Sequence, residues 1–208
     1  MGAGRVTRTL ALAAVLALSP AHAAADGVPR DPEARCIGDG TWRRPPTWLP
    51  VYRIHRRGSS VPARVERWRF RDYVAAVAES GAWPAGKPME SLEAGVIAIK
   101  QYSWWMAHHR CRSFRGRAYA ITDSEQFLAR GMRPGHRGHS RTRAAIDATW
   151  AVSLRKRGRL FRTGWSGGRG IDGWHLHEGT VTRLARRGWT WRRIVRHVLR
   201  PVTIVVAP

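Results

Sequence analysis

Residues 73–110 read YVAAVAESGAWPAGKPMESLEAGVIAIKQYSWWMAHHR, two helical patterns joined by a turn rich in Gly and Pro. In the second half Leu92, Val96, Ile99 and Trp105 fall near one face, and Ala94, Gly95 and Ala98 are small enough for a neighbouring backbone to approach closely. That pattern predicts a buried central helix. The first half ends at Glu79, a carboxylate placed where an apolar helix runs into the turn before Trp83 and Pro84.

Working outward, RVERWRF at 64–70 alternates and is rich in bulky residues, so a strand is expected to feed a helix starting near Arg71, with Asp72 complementing the helix dipole. After Arg110, two short extended pieces flank Gly116. Asp123 to Gln126 forms a turn or short helix, followed by the loop GMRPGHRGHSR. Residues 142–150 predict a short helix, and AVSLRKRG with RLFRTGW a hairpin turning at Arg157-Gly158. The glycine-dense WSGGRGIDGW is a loop whose backbone can approach a partner closely. A helix is expected from about His175 to Arg187, stopped by Gly188. Thr190 then caps a last helix that ends before Pro201, and VTIVV closes the chain as a strand. Helices with scattered short strands predict an α+β fold: a single compact domain around a central buried helix, with short strands and a hairpin.

The first 25 residues carry Arg5 and Arg8, an apolar run from Leu10 to Leu18 and an Ala-x-Ala site at Ala21 to Ala23. This is the pattern of a secretory signal peptide, too short to span a bilayer, and arginines interrupt every later apolar stretch. The expected organisation is a signal peptide at 1–25, an irregular Pro- and Arg-rich extension at 26–62 and one domain at 63–207. In the extension, Trp42 and Trp48 have rings that could stack on sugars, but in a segment that needs pinning they are expected to pack onto the domain. The expected location is secreted or wall-associated.

The 208-residue chain has a formal charge of +23, and loss of the leader, with two arginines and no acids, lowers this to +21. In an exported protein the anionic partner is wall polymer or lipid headgroup rather than nucleic acid. Arginine nevertheless dominates throughout, the only lysines being Lys87, Lys100 and Lys156, so part of the bias reflects composition. Cys36 and Cys111 are the only cysteines, and an oxidising compartment predicts a disulfide between them. The competing reading is zinc at Cys111 with His108 and His109. His136 and His139 offer a second histidine pair, in a loop that reads as solvated.

The order of these pieces resembles the SpoIID/LytB domain family. YVAAVAE, then Trp-Pro, then MESLEAGVIAIKQYSWW is similar to its opening, and Ser91 to Gly95 with Lys100 and Tyr102 follows its long helix. Three later landmarks occur in the same order: TDSEQF at 122–127, AIDATW at 145–150 with the hairpin, and TGWSGG at 163–168. Gly173 to Gly179 followed by LARRGWTWRRI resembles the family's last motif.

The resemblance implies an exported peptidoglycan-directed domain. SpoIID is known as a lytic transglycosylase and LytB as an amidase enhancer. It implies Glu79 as the catalytic acid/base that protonates the glycosidic oxygen and then accepts the C6 hydroxyl proton as the 1,6-anhydro ring closes, with no cofactor. Such an acid needs an apolar cleft that raises its pKa. Implied substrate contacts are Trp83, Lys100, Tyr102, Gln126, Ser166, Gly167, Gly168 and His177. Implied partners are glycan strands or anionic wall polymers and a cell-wall amidase.

The chain departs from the family pattern in a segment two residues shorter before Glu79, in Ser80 after it, and in Leu176-His177 where the family has Ser-Gln. These departures define the alternative: a non-catalytic wall-binding or amidase-stimulating domain. A third reading takes His175-Leu176-His177 as zinc ligands, similar to LytM-type endopeptidases, although a helix starting there would make the two histidines diverge.

Overall fold

The computed structural model describes residues 43–54, 62–81, 83–129 and 131–207. The leader-like segment 1–25, Cys36 and Trp42 lie outside the described residues. Among the described residues, five helices and several short strands make a mixed α+β fold around the helix α2, Met89–His109. Buried residues occur all round α2, because α1 (Phe70–Glu79), α3 (Ser140–Thr149), α4 (Glu178–Arg186) and α5 (Trp191–Val198) surround it.

The small residues of α2 serve the packing in a way the sequence did not specify. A Cβ at Gly95 would lie 2.3 Å from Trp83 Cδ2, so an indole ring occupies the notch in place of a neighbouring backbone. Two polar side chains on the same helix hold the chain that follows α3. Lys100 Nζ donates to the carbonyls of Thr149, Trp150 and Val152 at 2.8, 2.7 and 2.6 Å. Gln101 donates through Nε2 to Leu154 O and Phe161 O and accepts from Leu154 N. These bonds join α2 to the strands β6 (Val152–Lys156) and β7 (Arg159–Leu160), whose tight turn uses positive φ at Arg157 and Gly158 as expected. β10 (Thr203–Val206) pairs with the other edge of β6. α5 begins with the Thr190 cap on Arg193 N, and Gly188 takes φ +78° after α4, both as the sequence indicated.

The extension is not wholly irregular. β1 (Trp48–Arg53) pairs antiparallel with β2 (Arg64–Arg69) and parallel with β5 (Ile121–Thr122), which makes it the central strand of a three-stranded sheet. Pro50 is unusual in a central strand, because proline has no N–H to give the ladder. Its carbonyl accepts from Ala120 N at 2.9 Å, so its N side faces β5, where the parallel pairing starts only at Val51. No bond to β2 is lost. Trp48 packs on this sheet as expected, beneath the guanidinium groups of Arg67 and Arg69 at 4.6 and 5.6 Å from its ring.

A second difference concerns the histidines. His175–His177 is a strand, β9, paired parallel with β8 (Gly164–Ser166), and α4 begins only at Glu178. His175 and His177 therefore share a face. A fourth small sheet joins β3 (Arg112–Phe114) to β4 (Arg117–Tyr119) through a turn at Arg115 and Gly116, both at positive φ.

Candidate functional site

α1 delivers Glu79 to its last turn. Ser80 Oγ donates to Ala76 O and accepts from Ala129 N at 2.8 Å, tying the helix end to the chain before the glycine loop. The loop then folds back onto the carboxylate. His139 N–H donates to Oε1 at 2.6 Å, and His136 Nε2 lies 2.9 Å from Oε2. Gly138, at φ +73°, closes the approach, since a Cβ there would sit 2.8 Å from Oε1 and 2.9 Å from Ala75 Cβ. Arg141 pins the same segment to the 83–88 turn by donating to Ala85 O and Lys87 O.

The electrostatic outcome is the reverse of what a resident general acid needs. Burial pushes the Glu79 carboxyl up, but the His139 N–H, the His136 ring and the nearby Thr142 hydroxyl outweigh it and hold the group below its ordinary value. The carboxyl that burial does raise, to about 7, is Glu93 on α2, helped by the neighbouring Glu90. Neither the partnership of His136 and His139 with Glu79 nor the role of Glu93 carries a local sequence signal.

The implied substrate contacts separate into two groups. Trp83 and Lys100 are fully buried, the first against Gly95 and edge-on to Trp165, the second on its three carbonyls. Gln126 is 1% exposed, accepting from Ser103 Oγ at 3.1 Å. Tyr102, Gln126, Phe127, Trp165 and Trp174 line a cavity of about 400 Å³ with Arg162 and His175 at its polar side. Phe127 is 67% exposed at this rim and holds φ 55°, a conformation that costs a non-glycine residue about 1 kcal/mol or more. Glu79 does not line this cavity.

Ser166 and His177 meet on the neighbouring strands. They are register partners in the β8–β9 ladder, with Ser166 Oγ 2.8 Å from His177 Nδ1. His177 Nε2 lies 3.3 Å from Asp172 Oδ2, and His175 Nδ1 lies 2.7 Å from the same oxygen. Asp172 Oδ1 accepts from the backbone N–H groups of Trp174 and His175 at 2.8 and 2.7 Å. Burial is the largest single influence on the Asp172 carboxyl and pushes it up, but these two N–H donors and the His175 ring together carry it well below the usual carboxylate range. Asp172 was invisible as a site residue because it lies in a glycine-rich loop without periodicity.

No family model matches the chain, and no curated protein matches it. No helix among the described residues is long and apolar enough to cross a membrane. Among the described residues no group of three His, Cys, Asp or Glu side chains is arranged to hold a metal ion. Cys111 is disulfide-bonded, so its sulfur is no thiolate ligand for zinc; Cys36 lies outside the described residues.

A cavity of about 950 Å³ lies at the other end of α1. Trp48, Trp104 and Trp150 provide its aromatic surface, and Arg43, Arg44, Arg69, Arg71 and Arg143 its charge. Two carboxylates offset part of that charge, Asp72 paired with Arg143 and Asp147 with Arg71. A second hollow of about 360 Å³ shares Trp48, Arg69 and Asp72 with it and extends to Arg67 and Arg137. Among the described residues no carboxylate lies within ion-pair distance of Arg67, Arg69 or Arg137.

Proposed function

We propose that this chain is an exported, peptidoglycan-directed protein that binds anionic wall polymer through the arginine and tryptophan groove, a SpoIID/LytB-like domain whose Glu79 position is closed. The supporting observation is Trp48 lying beneath Arg67 and Arg69 where the two arginine-lined hollows share it. A planar ring beneath two guanidinium groups gives sugar faces a stacking surface and anionic groups a pair of donors. The ionised Glu79 fits this reading, because a carboxylate pinned by an N–H and a histidine is a structural tie between α1 and the loop. Sacculus pull-down at rising salt tests it. Binding should weaken steeply with ionic strength and fall further in Trp48→Ala/Arg67→Ser/Arg69→Ser. Retention that ignores both salt and the triple substitution would sink the proposal.

The second reading, a lytic transglycosylase with Glu79 as acid/base, is favoured by the position of Glu79 in the motif order. It requires the glycine loop to swing away, which would remove the His139 and His136 bonds and let burial raise the carboxyl. Purified protein would then release anhydro-muropeptides from denuded glycan, and Glu79→Gln would abolish the release.

A further inference from the structure

Outside the Glu79 end of α1, one cluster joins a hydroxyl, an imidazole and a carboxylate in series. We propose that Ser166 is a nucleophile, activated by His177 and Asp172, that makes the β8–β9 edge an acyl-transfer centre for carboxylic esters.

The geometry supplies each part. Asp172 accepts two backbone N–H groups and two imidazoles, so it is held as a carboxylate and can only accept. His177 therefore turns its Nε2–H toward Asp172, which leaves the Nδ1 lone pair facing the Ser166 hydroxyl at 2.8 Å. The order of nitrogens is opposite to that of the familiar serine hydrolases, and either nitrogen can take the proton. The parallel ladder holds Ser166 and His177 opposite each other, and Gly170 leaves the ring its place, since a Cβ there would come within 2.8 Å of Nε2.

The space for a substrate lies directly ahead in the chain. Gly167 and Gly168 follow Ser166, both exposed, and a Cβ on either would meet nothing within 4 Å. Their backbone N–H groups, next in sequence to Ser166, are the donors assigned to the oxygen of a tetrahedral intermediate. Gly164, Trp165, Trp174 and His175 of the same two strands and their flanks border the aromatic cavity, which gives the remainder of an ester an apolar wall.

In the reaction Ser166 Oγ attacks the ester carbonyl and its proton passes to His177 Nδ1. The tetrahedral intermediate expels the alcohol, which takes that proton, and acyl-Ser166 remains. Water then attacks the acyl carbon with His177 as base, releasing the carboxylic acid and restoring the hydroxyl. No other reactant is needed. The proposal is independent of the wall-binding reading, because none of these residues lines the arginine groove.

Diisopropyl fluorophosphate provides the test. Attack by Ser166 forms the Oγ–P bond and expels fluoride, so mass spectrometry of the whole chain should find one diisopropylphosphoryl group, on the peptide containing Ser166. Labelling should be unchanged in Ser113→Ala, absent in Ser166→Ala, and at least tenfold slower in His177→Gln and Asp172→Asn with unaltered circular dichroism. Lack of an adduct on the folded wild-type chain, an adduct elsewhere, or wild-type labelling rates in folded His177→Gln would overturn it. The wild-type result alone decides the matter if the variants do not fold.

Discussion

Two acid and histidine clusters stand at different edges of this fold, and they use nearly the same parts. At the end of α1, Glu79 receives one backbone N–H and one imidazole; in the loop before β9, Asp172 receives two backbone N–H groups and two imidazoles. Both carboxyls lie below their ordinary range for the same reason, N–H donors outweighing burial. They differ in what stands beyond the acid. Gly138 presses its backbone against Glu79, whereas Gly167 and Gly168 open onto solvent beside Ser166. Similar local chemistry thus ends in a structural tie at one edge and in a polarised hydroxyl at the other.

The comparison can be broken by adding one methyl group on each side. Gly138→Ala combines a positive φ with two overlaps below 3.0 Å and should destabilise the fold by about 2–4 kcal/mol in denaturant titration. Gly167→Ala, facing open space, should change stability by no more than about 0.5 kcal/mol. Equal costs would show that the first edge is as open as the second.

Removing the charge from Glu79 sharpens the closed side. Glu79→Gln should cost about 1–3 kcal/mol at pH 7, through the lost charge-assisted bonds to His139 N–H and His136. Because the folded carboxyl is depressed, this contribution is present above the unfolded value near pH 4 and disappears as pH falls through the lower folded value. Thermal melts of the two proteins should therefore converge in acid. A gap that persists at pH 2 would assign the loss to packing.

Glu93 supplies the opposite sign and the smallest effect. Its carboxyl is raised to about 7, so ionising it opposes folding, and the penalty grows as pH rises from about 4 to 7. Glu93→Gln should stabilise the fold at pH 8 by under about 1 kcal/mol given its exposure, read as a slight rise in Tm, and leave Tm unchanged at pH 4. Destabilisation at pH 8 would mean that the Arg192 attraction exceeds the burial and Glu90 repulsion.

Much of the fold was legible because it rests on local signals. The α2 periodicity, the Arg157-Gly158 turn, the Gly188 stop and the Thr190 cap each depend on residues close in sequence. β1 was missed because its segment is rich in Pro and Arg and shows no sustained period, and the late start of the β5 pairing is what makes Pro50 acceptable in a central strand. His175–His177 was read as helix because the α4 pattern runs directly on from it, and the three-residue ladder with β8 has no sequence signature. The candidate sites were less legible. Glu79 meets His136 across 57 positions, and Trp83 finds its place on Gly95 through tertiary packing, a destination that residue type cannot announce.

Lys100 has one more consequence. It is one of three lysines, and its ammonium is buried on three carbonyls while Lys87 and Lys156 remain partly accessible. Amine-reactive reagents applied to the folded chain should modify those two and spare the third. Acylation at Lys100 is then a chemical clock for the separation of α2 from β6, readable from a single peptide without any engineered probe.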